Sequence, residues 1–425
     1  MKLLSFLNYL VSVLFIVCYA YQFFYIPIVW FFRKRKEKKV KESIREITNH
    51  SYAVLICARN ESAVIRDLLN SLKQQTYPSE YVKVFLLADN CTDNTAEIGR
   101  EEGAVVYERF NDKEIGKGYA LNELLGHIKE DFPEGFDGYF VFDADNILSK
   151  DYIERMNEYC CAGYEIVTSY RNSKNYGSSW LSAGQALWFL RESRYLHDPR
   201  FILNISGTVS GTGFMFTRTI LEENGGWPYH LLIEDIQFSI DQIIKGRKVA
   251  FCSDAVFYDE QPVTLRQSWR QRSRWTRGYL QVLFRYFGKL MKGIFHGDWS
   301  CFDVLMNIAP AYFLSTVAVG LNVTISVIAL MSGDDIRIAL ASIGELLLSM
   351  YAIAFAVGFI TTITEWKVIR ASTFKKIFYM FTFPFFMMTF IPISIVALFQ
   401  KNSWKPIVHT QSLDQMKKEG EDTDF

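Results

Sequence analysis

An α/β domain with a mostly parallel sheet, carried on about four transmembrane helices and amphipathic interface helices, is the fold class this 425-residue sequence predicts. Three observations predict it. Short apolar runs alternate with amphipathic stretches between Tyr52 and Asp259; four stretches stay apolar for twenty residues or more; and a basic, aromatic segment adjoins the last three of them.

The first element is Leu3–Phe31, apolar throughout and long enough to cross a hydrocarbon core ~30 Å thick at ~1.5 Å per residue. It lacks a small-residue cleavage site and runs into Arg33-Lys34-Arg35-Lys36, so it predicts a signal anchor with its basic end in the cytoplasm rather than a cleaved signal. Tyr52–Ala58, Val82–Asp89, Ala104–Tyr107 and Tyr139–Asp143 predict buried strands, and Glu61–Gln74, Thr95–Glu102 and Tyr119–Glu130 predict the helices between them. In such sheets ligands bind beyond the carboxyl ends of the strands. Val263–Phe295 mixes eight Arg or Lys residues with Leu265, Trp269, Trp275, Tyr279, Leu283, Tyr286 and Phe287 and holds no acid, the composition of a helix lying at a membrane surface. Val304–Met331, Ile338–Ile363 and Ile377–Phe399 are the other candidate crossings, interrupted by Asn307, Asn322 and Glu345. The expected division is a membrane helix at 1–32, a basic linker at 33–50, a cytosolic α/β domain at 51–262, interface helices at 263–300, three membrane helices at 301–400 and a polar tail at 401–425.

Counting crossings leaves that tail opposite the catalytic domain, with the basic loop Lys367–Lys376 inside and Asp334-Asp335 outside. Trp404-Lys405-Pro406 fits an interfacial anchor on either side, and a cytosolic tail would mean that one apolar stretch does not cross. Seven scattered cysteines without CxxC spacing imply neither zinc nor a disulfide framework. The six histidines show no metal-binding pairing and are expected to be structural or exposed. Net charge is zero, but basic residues crowd beside the membrane segments, which favours anionic headgroups over nucleic acid.

The chemistry-bearing groups follow the strands. In Phe142-Asp143-Ala144-Asp145-Asn146, two carboxylates two apart converge on one side of an extended chain, a donor set suited to a hard divalent cation. A solvated turn is the plainer reading of such a pair standing alone. Ala88-Asp89-Asn90-Cys91-Thr92-Asp93 offers an acceptor for an imide N–H, although turn chemistry also favours these residues. Ile115-Gly116-Lys117-Gly118 brings a cation and backbone amides but lacks phosphate-loop spacing, and no G-x-G-x-x-G follows the first strand. Ile233-Glu234-Asp235, downstream of the Gly-rich run Ser206–Phe214 that includes Gly211 and Thr212, offers a general base or a helix-start pair. Gln271, Arg274 and Trp275 share a helix face, with a cation for a diphosphate and a ring for a sugar.

In this order the motifs resemble the D, DxD, ED, QxxRW series of processive membrane-bound family-2 glycosyltransferases: cellulose, hyaluronan, chitin and poly-N-acetylglucosamine synthases. The resemblance also takes in Ala58-Arg59-Asn60-Glu61, Gly116-Lys117-Gly118 and Glu260, and spans roughly Tyr52–Tyr279. It implies a GT-A type nucleotide-sugar domain. Asp89, with Ala58 and Glu61 nearby, would hold uracil, and Lys117 would lie by the nucleotide. Asp143 and Asp145 would hold Mg²⁺ or Mn²⁺ on the diphosphate, and Arg274 would contact that diphosphate. Asp235, beside Glu234, would be the base. Gln271 and Trp275, with Gly211 and Thr212, would line the acceptor site. The implied protein is an inverting, multi-pass plasma-membrane enzyme with a cytosolic catalytic domain, its partners a UDP-sugar, a growing glycan and the bilayer. Gly211-Thr212-Gly213-Phe214 departs from the S-G-P pattern of N-acetylglucosamine-using enzymes and favours UDP-glucose and a β-1,4 or mixed β-1,3/1,4 glucan. The alternatives are a UDP-GlcNAc polymerase, a non-processive glycolipid glucosyltransferase of the ceramide-glucosyltransferase type, and a non-enzymatic transporter or receptor.

Overall fold

A computed structural model describes residues 2–332, 336–399 and 409–418. Eight strands form one sheet in the order β3-β2-β1-β4-β7-β6-β8-β5. They are β1 (Tyr52–Ala58), β2 (Val82–Asp89), β3 (Val105–Arg109), β4 (Gly138–Phe142), β5 (Ile147–Leu148), β6 (Ile166–Ser173), β7 (Phe214–Thr217) and β8 (Val249–Asp259). β1 pairs in parallel with β2 and β4, β2 with β3, and β6 with β8. β7 lies antiparallel between β4 and β6, and short β5 runs antiparallel to β8. The sheet is therefore mixed and mostly parallel, in agreement with the predicted class.

The solid apolar runs of β1 and β4 follow from burial on both faces. Tyr52, Val54 and Ile56 enter one core with Phe140 and Phe142, while the alternating Ala53 and Leu55 enter a second with Phe85, Trp227 and Phe238. Asn60 and Asn90, just past β1 and β2, take positive φ angles of 58° and 52°, which Asn tolerates better than most side chains. Those turns aim the Ala58–Glu61 and Asp89–Asp93 loops along the carboxyl edge of the sheet.

Helices α1 (Lys2–Phe23) and α2 (Tyr25–Ser43) precede the sheet, so the expected basic linker is largely helical. Around the sheet lie α3 (Ile65–Lys73), α4 (Thr95–Glu101), α5 (Lys117–Asp131), α6 (Tyr152–Cys161), α7 (Trp180–Glu192), α8 (Asp198–Ile202), α9 (Arg218–Glu223) and α10 (Glu234–Ile244). The basic, aromatic segment is a single 31-residue helix, α11 (Leu265–Phe295), followed by α12 (Trp299–Ser332). Ile233, Ile236 and Ile240 pack with Val282, Leu283 and Val304, which fixes α11 to α10 and α12. Gly278 is needed there, since a Cβ would come within 2.7 Å of Ile233.

The chain ends in α13 (Ile336–Thr364), α14 (Thr373–Met388), α15 (Phe390–Phe399) and α16 (Leu413–Lys418). By length and composition, three helical segments can cross a membrane: Phe6–Ser43, Ile343–Thr364 and Thr373–Phe399. The expected fourth stretch lies in α12, whose described apolar portion, Thr316–Ile328, is too short to qualify among the described residues.

Asp334-Asp335 and Trp404-Lys405-Pro406 lie outside the described residues, but His409–Leu413 sits against the α/β domain. The last apolar stretch is not one straight rod. It breaks at Thr389, because Pro392 cannot donate to the preceding turn, and Phe386 of α14 lies against Gly184 of α7 in the catalytic domain. Residues 409–413 therefore lie on the catalytic domain, the arrangement expected of a cytosolic tail.

Candidate active site

The strand ends and the Gly-rich run build one cluster. Asp143 follows β4; its backbone N–H donates to Thr212 Oγ1 over 2.8 Å, and Lys117 Nζ donates to both the Asp143 carboxylate and the Gly211 carbonyl, the latter at 2.7 Å. Lys117 opens α5 directly after Gly116, whose φ of 136° is open to glycine alone. Burial alone would pull the Lys117 ammonium down, but the Asp143 and Glu234 charges and the Asp143 hydrogen bond together more than offset it and its pKa is raised. Gly211 also takes a positive φ, 80°, and a Cβ there would lie 3.6 Å from Asp235 Oδ2. Lys117, Asp143, Gly211, Thr212 and Asp235 are therefore neighbours.

Glu234 and Asp235 form the first turn of α10, whose N-terminal dipole favours acids. Burial nevertheless raises both carboxyls, and the neighbouring Asp235 charge helps to bring Glu234 up to about 7. Lys117 and Arg274 act in the opposite direction on each, which brings Arg274 into the same field. A small open pocket lies beside Glu234, lined by Gly116, Lys117, Tyr119, His230 and Leu231; Tyr119 and His230 stack at 4.3 Å.

Asp145 is buried. Its Oδ2 accepts from the Glu260 N–H at 2.7 Å, and Asn146 Nδ2 donates to its Oδ1 at 3.3 Å. Asp143 and Asp145 supply the hard oxygen donors that Mg²⁺ or Mn²⁺ takes, but no group of three or more His, Cys, Asp or Glu side chains converges on a metal position among the described residues. The carboxylate chemistry of the pair fits such an ion.

Asp89 is buried and ion-paired to Arg109 Nη1 at 2.8 Å. Glu61, beside the end of β1 and Ala58, receives His409: Nδ1 lies 3.0 Å from both carboxylate oxygens. His409 thus has a structural contact, as one of the two expectations for the histidines allows. Thr410 and Gln411 donate their N–H groups to Glu260, and Lys174 donates to the Gln411 carbonyl at 3.1 Å.

On α11, Trp275 meets Phe189 edge-on at 6.0 Å, and Gln271 accepts from Gln185 Nε2 at 2.7 Å. Arg109, Gln185 and His409 are the site residues that the sequence reading missed. Arg109 alone left a local signal, as a cation ending a strand next to the Asp89 strand.

Residues 50–278 match the sequence profile described as "Glycosyltransferase like family 2". The chain is 26% identical over 282 residues to the probable glycosyltransferase YdaM of Bacillus subtilis, covering 61% of this chain and 62% of that protein. It is 25% identical over 312 residues to a β-monoglucosyldiacylglycerol synthase of Nostoc, covering 66% and 64%. It is also 25% identical over 280 residues to a poly-β-1,6-N-acetyl-D-glucosamine synthase of Staphylococcus epidermidis, covering 62% and 64%. The match thus takes in less than two thirds of each relative's length. Among solved structures, the mannosyltransferase PcManGT from Pyrobaculum calidifontis, in complex with GDP-Man and Mn²⁺, superposes with a TM-score of 0.54 at 15% identity, covering 92% of this chain and all of that one. At that identity the likeness is one of fold.

Proposed function

This chain belongs to glycosyltransferase-like family 2, and from that premise we propose that it transfers glucose from UDP-glucose, with inversion, to a hydroxyl acceptor at a membrane, building a β-glucan. The observation that carries the reading is the convergence of Lys117, Asp143, Gly211 and Asp235 beside Arg274.

Asp235 takes the proton of the acceptor hydroxyl, and the oxygen attacks the anomeric carbon as the bond to the UDP oxygen breaks. One displacement converts the α-linked donor into a β-linked product. Gln271 and Trp275 orient the acceptor, while Asp89, with Ala58 and Glu61 nearby, holds the uracil. Lys117 and Arg274 supply fixed positive charge where the departing diphosphate gains negative charge, the kind of preorganised field that contributes most to such reactions. Asp143 and Asp145 are the residues that would hold Mg²⁺ or Mn²⁺, which when bound neutralises part of that charge. The basic linker and the exposed Phe284, Phe287 and Phe295 of α11 support a membrane surface beside the site, with the catalytic domain on the cytosolic face.

A second reading, a single β-glucosyl transfer to a lipid, draws support from the glucosyldiacylglycerol synthases among the relatives. UDP-GlcNAc as donor draws support from the poly-N-acetylglucosamine synthases. The deciding experiment incubates the purified protein in detergent with each UDP-sugar and Mg²⁺ or Mn²⁺, then digests the product with linkage-specific hydrolases. A β-glucosidase-sensitive polymer from UDP-glucose is expected. A glucosyl lipid of fixed size selects the second reading, and faster turnover of UDP-GlcNAc overturns the choice of sugar.

A further inference from the structure

The amide of Gln271 is the end of a chain of buried polar side chains whose direction is set from its far end. Asp259, at the end of β8, is acceptor-only when ionised, and Arg171 Nε donates to its Oδ2 at 2.8 Å. Its Oδ1 accepts from Gln261 Nε2 at 2.5 Å, which turns the Gln261 amide oxygen the other way. The Asn175 side-chain amide donates to the Gln261 carbonyl and accepts from the Gln261 N–H, each at 2.8 Å, which holds Gln261 in place.

Gln185 of α7 then has one possible direction. Its Nε2 donates to Gln261 Oε1 at 2.8 Å and to Gln271 Oε1 at 2.7 Å, using both N–H bonds. Its own Oε1 is buried and has no partner among the described residues. A buried carbonyl without a partner is costly, so the orientation is imposed by the two donated bonds rather than by its own comfort. Gln271 is half-buried and one helical turn before Trp275. With its oxygen bound behind, its N–H groups are left for the acceptor side.

We infer that Gln185 is a positioning residue for the acceptor site: by binding the Gln271 amide oxygen, it makes Gln271 present hydrogen-bond donors to the acceptor. The occupant so recognised is one with a lone-pair oxygen at that point, a sugar hydroxyl or ring oxygen. This inference rests on the glycosyl-transfer reading above.

The test uses the full chain in detergent with UDP-glucose, cellotriose and dispersed diacylglycerol as acceptors, and UDP release to water as the acceptor-free reaction. Gln185→Glu keeps the shape but has no N–H for Gln271. It is expected to raise the KM of whichever acceptor turns over about tenfold, the loss of one hydrogen bond. UDP-glucose KM and release to water should stay within twofold. Lowering the pH until the new carboxyl is protonated supplies one O–H in place of two N–H bonds and should bring acceptor KM part of the way back toward wild type at the same pH. Gln185→Met, which removes the amide without adding charge, should raise acceptor KM but show no such recovery. Acceptor KM within twofold of wild type in both variants overturns the inference, as does a parallel loss of donor binding and water reaction. Wild type that releases no UDP from UDP-glucose under any condition overturns the underlying reading instead.

Discussion

The imidazole of His409 lies 3.0 Å from both carboxylate oxygens of Glu61, joining residues 348 positions apart. Burial pulls its pKa down, but the Asp145 charge and the Glu61 hydrogen bond outweigh burial and bring it to about 10. A histidine raised in the folded state stabilises that state fully below its unfolded pKa of ~6.5, and the effect is lost as pH rises through the folded value. Docking of residues 409–418 should therefore persist at neutral pH and loosen near pH 10. Limited proteolysis reads this directly: His409→Ala should cut the tail about tenfold faster than wild type at pH 7, and the two should converge above about pH 10.

Glu234 and Asp235 set the acid limb of the pH profile. Both carboxyls are raised, Glu234 to about 7, and the base works only when deprotonated. kcat should fall on acidification at a higher pH than an ordinary aspartate would set, because burial raises the Asp235 carboxyl. Asp235→Asn should lower kcat by about 10²–10⁴ and flatten that limb. Unchanged steady-state kinetics in Asp235→Asn would remove it from the mechanism.

Arg109 is buried against Asp89 and reaches Glu123 with its Nε at 2.6 Å. Arg109→Met leaves the Asp89 carboxylate buried and unpaired, a change that costs about 3–5 kcal/mol. A lower thermal midpoint is expected together with weaker UDP binding by calorimetry, and addition of UDP should recover only part of the lost stability.

Chelation should separate donor binding from chemistry. EDTA should abolish turnover and Mg²⁺ or Mn²⁺ restore it, whereas Asp145→Ala should stay inactive at any metal concentration. Full activity in EDTA would remove the ion from the account.

Within the helical bundle, Asn8 and Asn322 donate to each other at 3.0 and 2.7 Å. Interhelical bonds of this kind contribute about 0.6 kcal/mol on average and rarely above ~1.7. Asn322→Leu should therefore shift a detergent unfolding midpoint only slightly and leave UDP release unchanged.

β1 and β2 were legible to the residue because doubly buried strands are solid apolar runs ended by Asn60 and Asn90 turns. The paired acids were legible for the same reason, since they stand at strand or helix ends. α7 was not, because it is apolar nearly all round and carries no helical stripe; it was also the source of Gln185. Arg171, Asp259 and His409 join the site through contacts with no local pattern. The docking of the tail on Glu61 and Glu260 joins residues far apart in sequence, which counting apolar stretches by length cannot register. Asn8 facing Asn322 explains one interruption of an apolar stretch that sequence alone left without a partner.

The central claim is tested most directly by UDP release from UDP-glucose, measured side by side for the purified wild type and Asp235→Asn at equal folded protein. Metal-dependent release by wild type and a fall of at least about a hundredfold in Asp235→Asn are predicted. Equal release by the two, or none from wild type with an added acceptor, contradicts it.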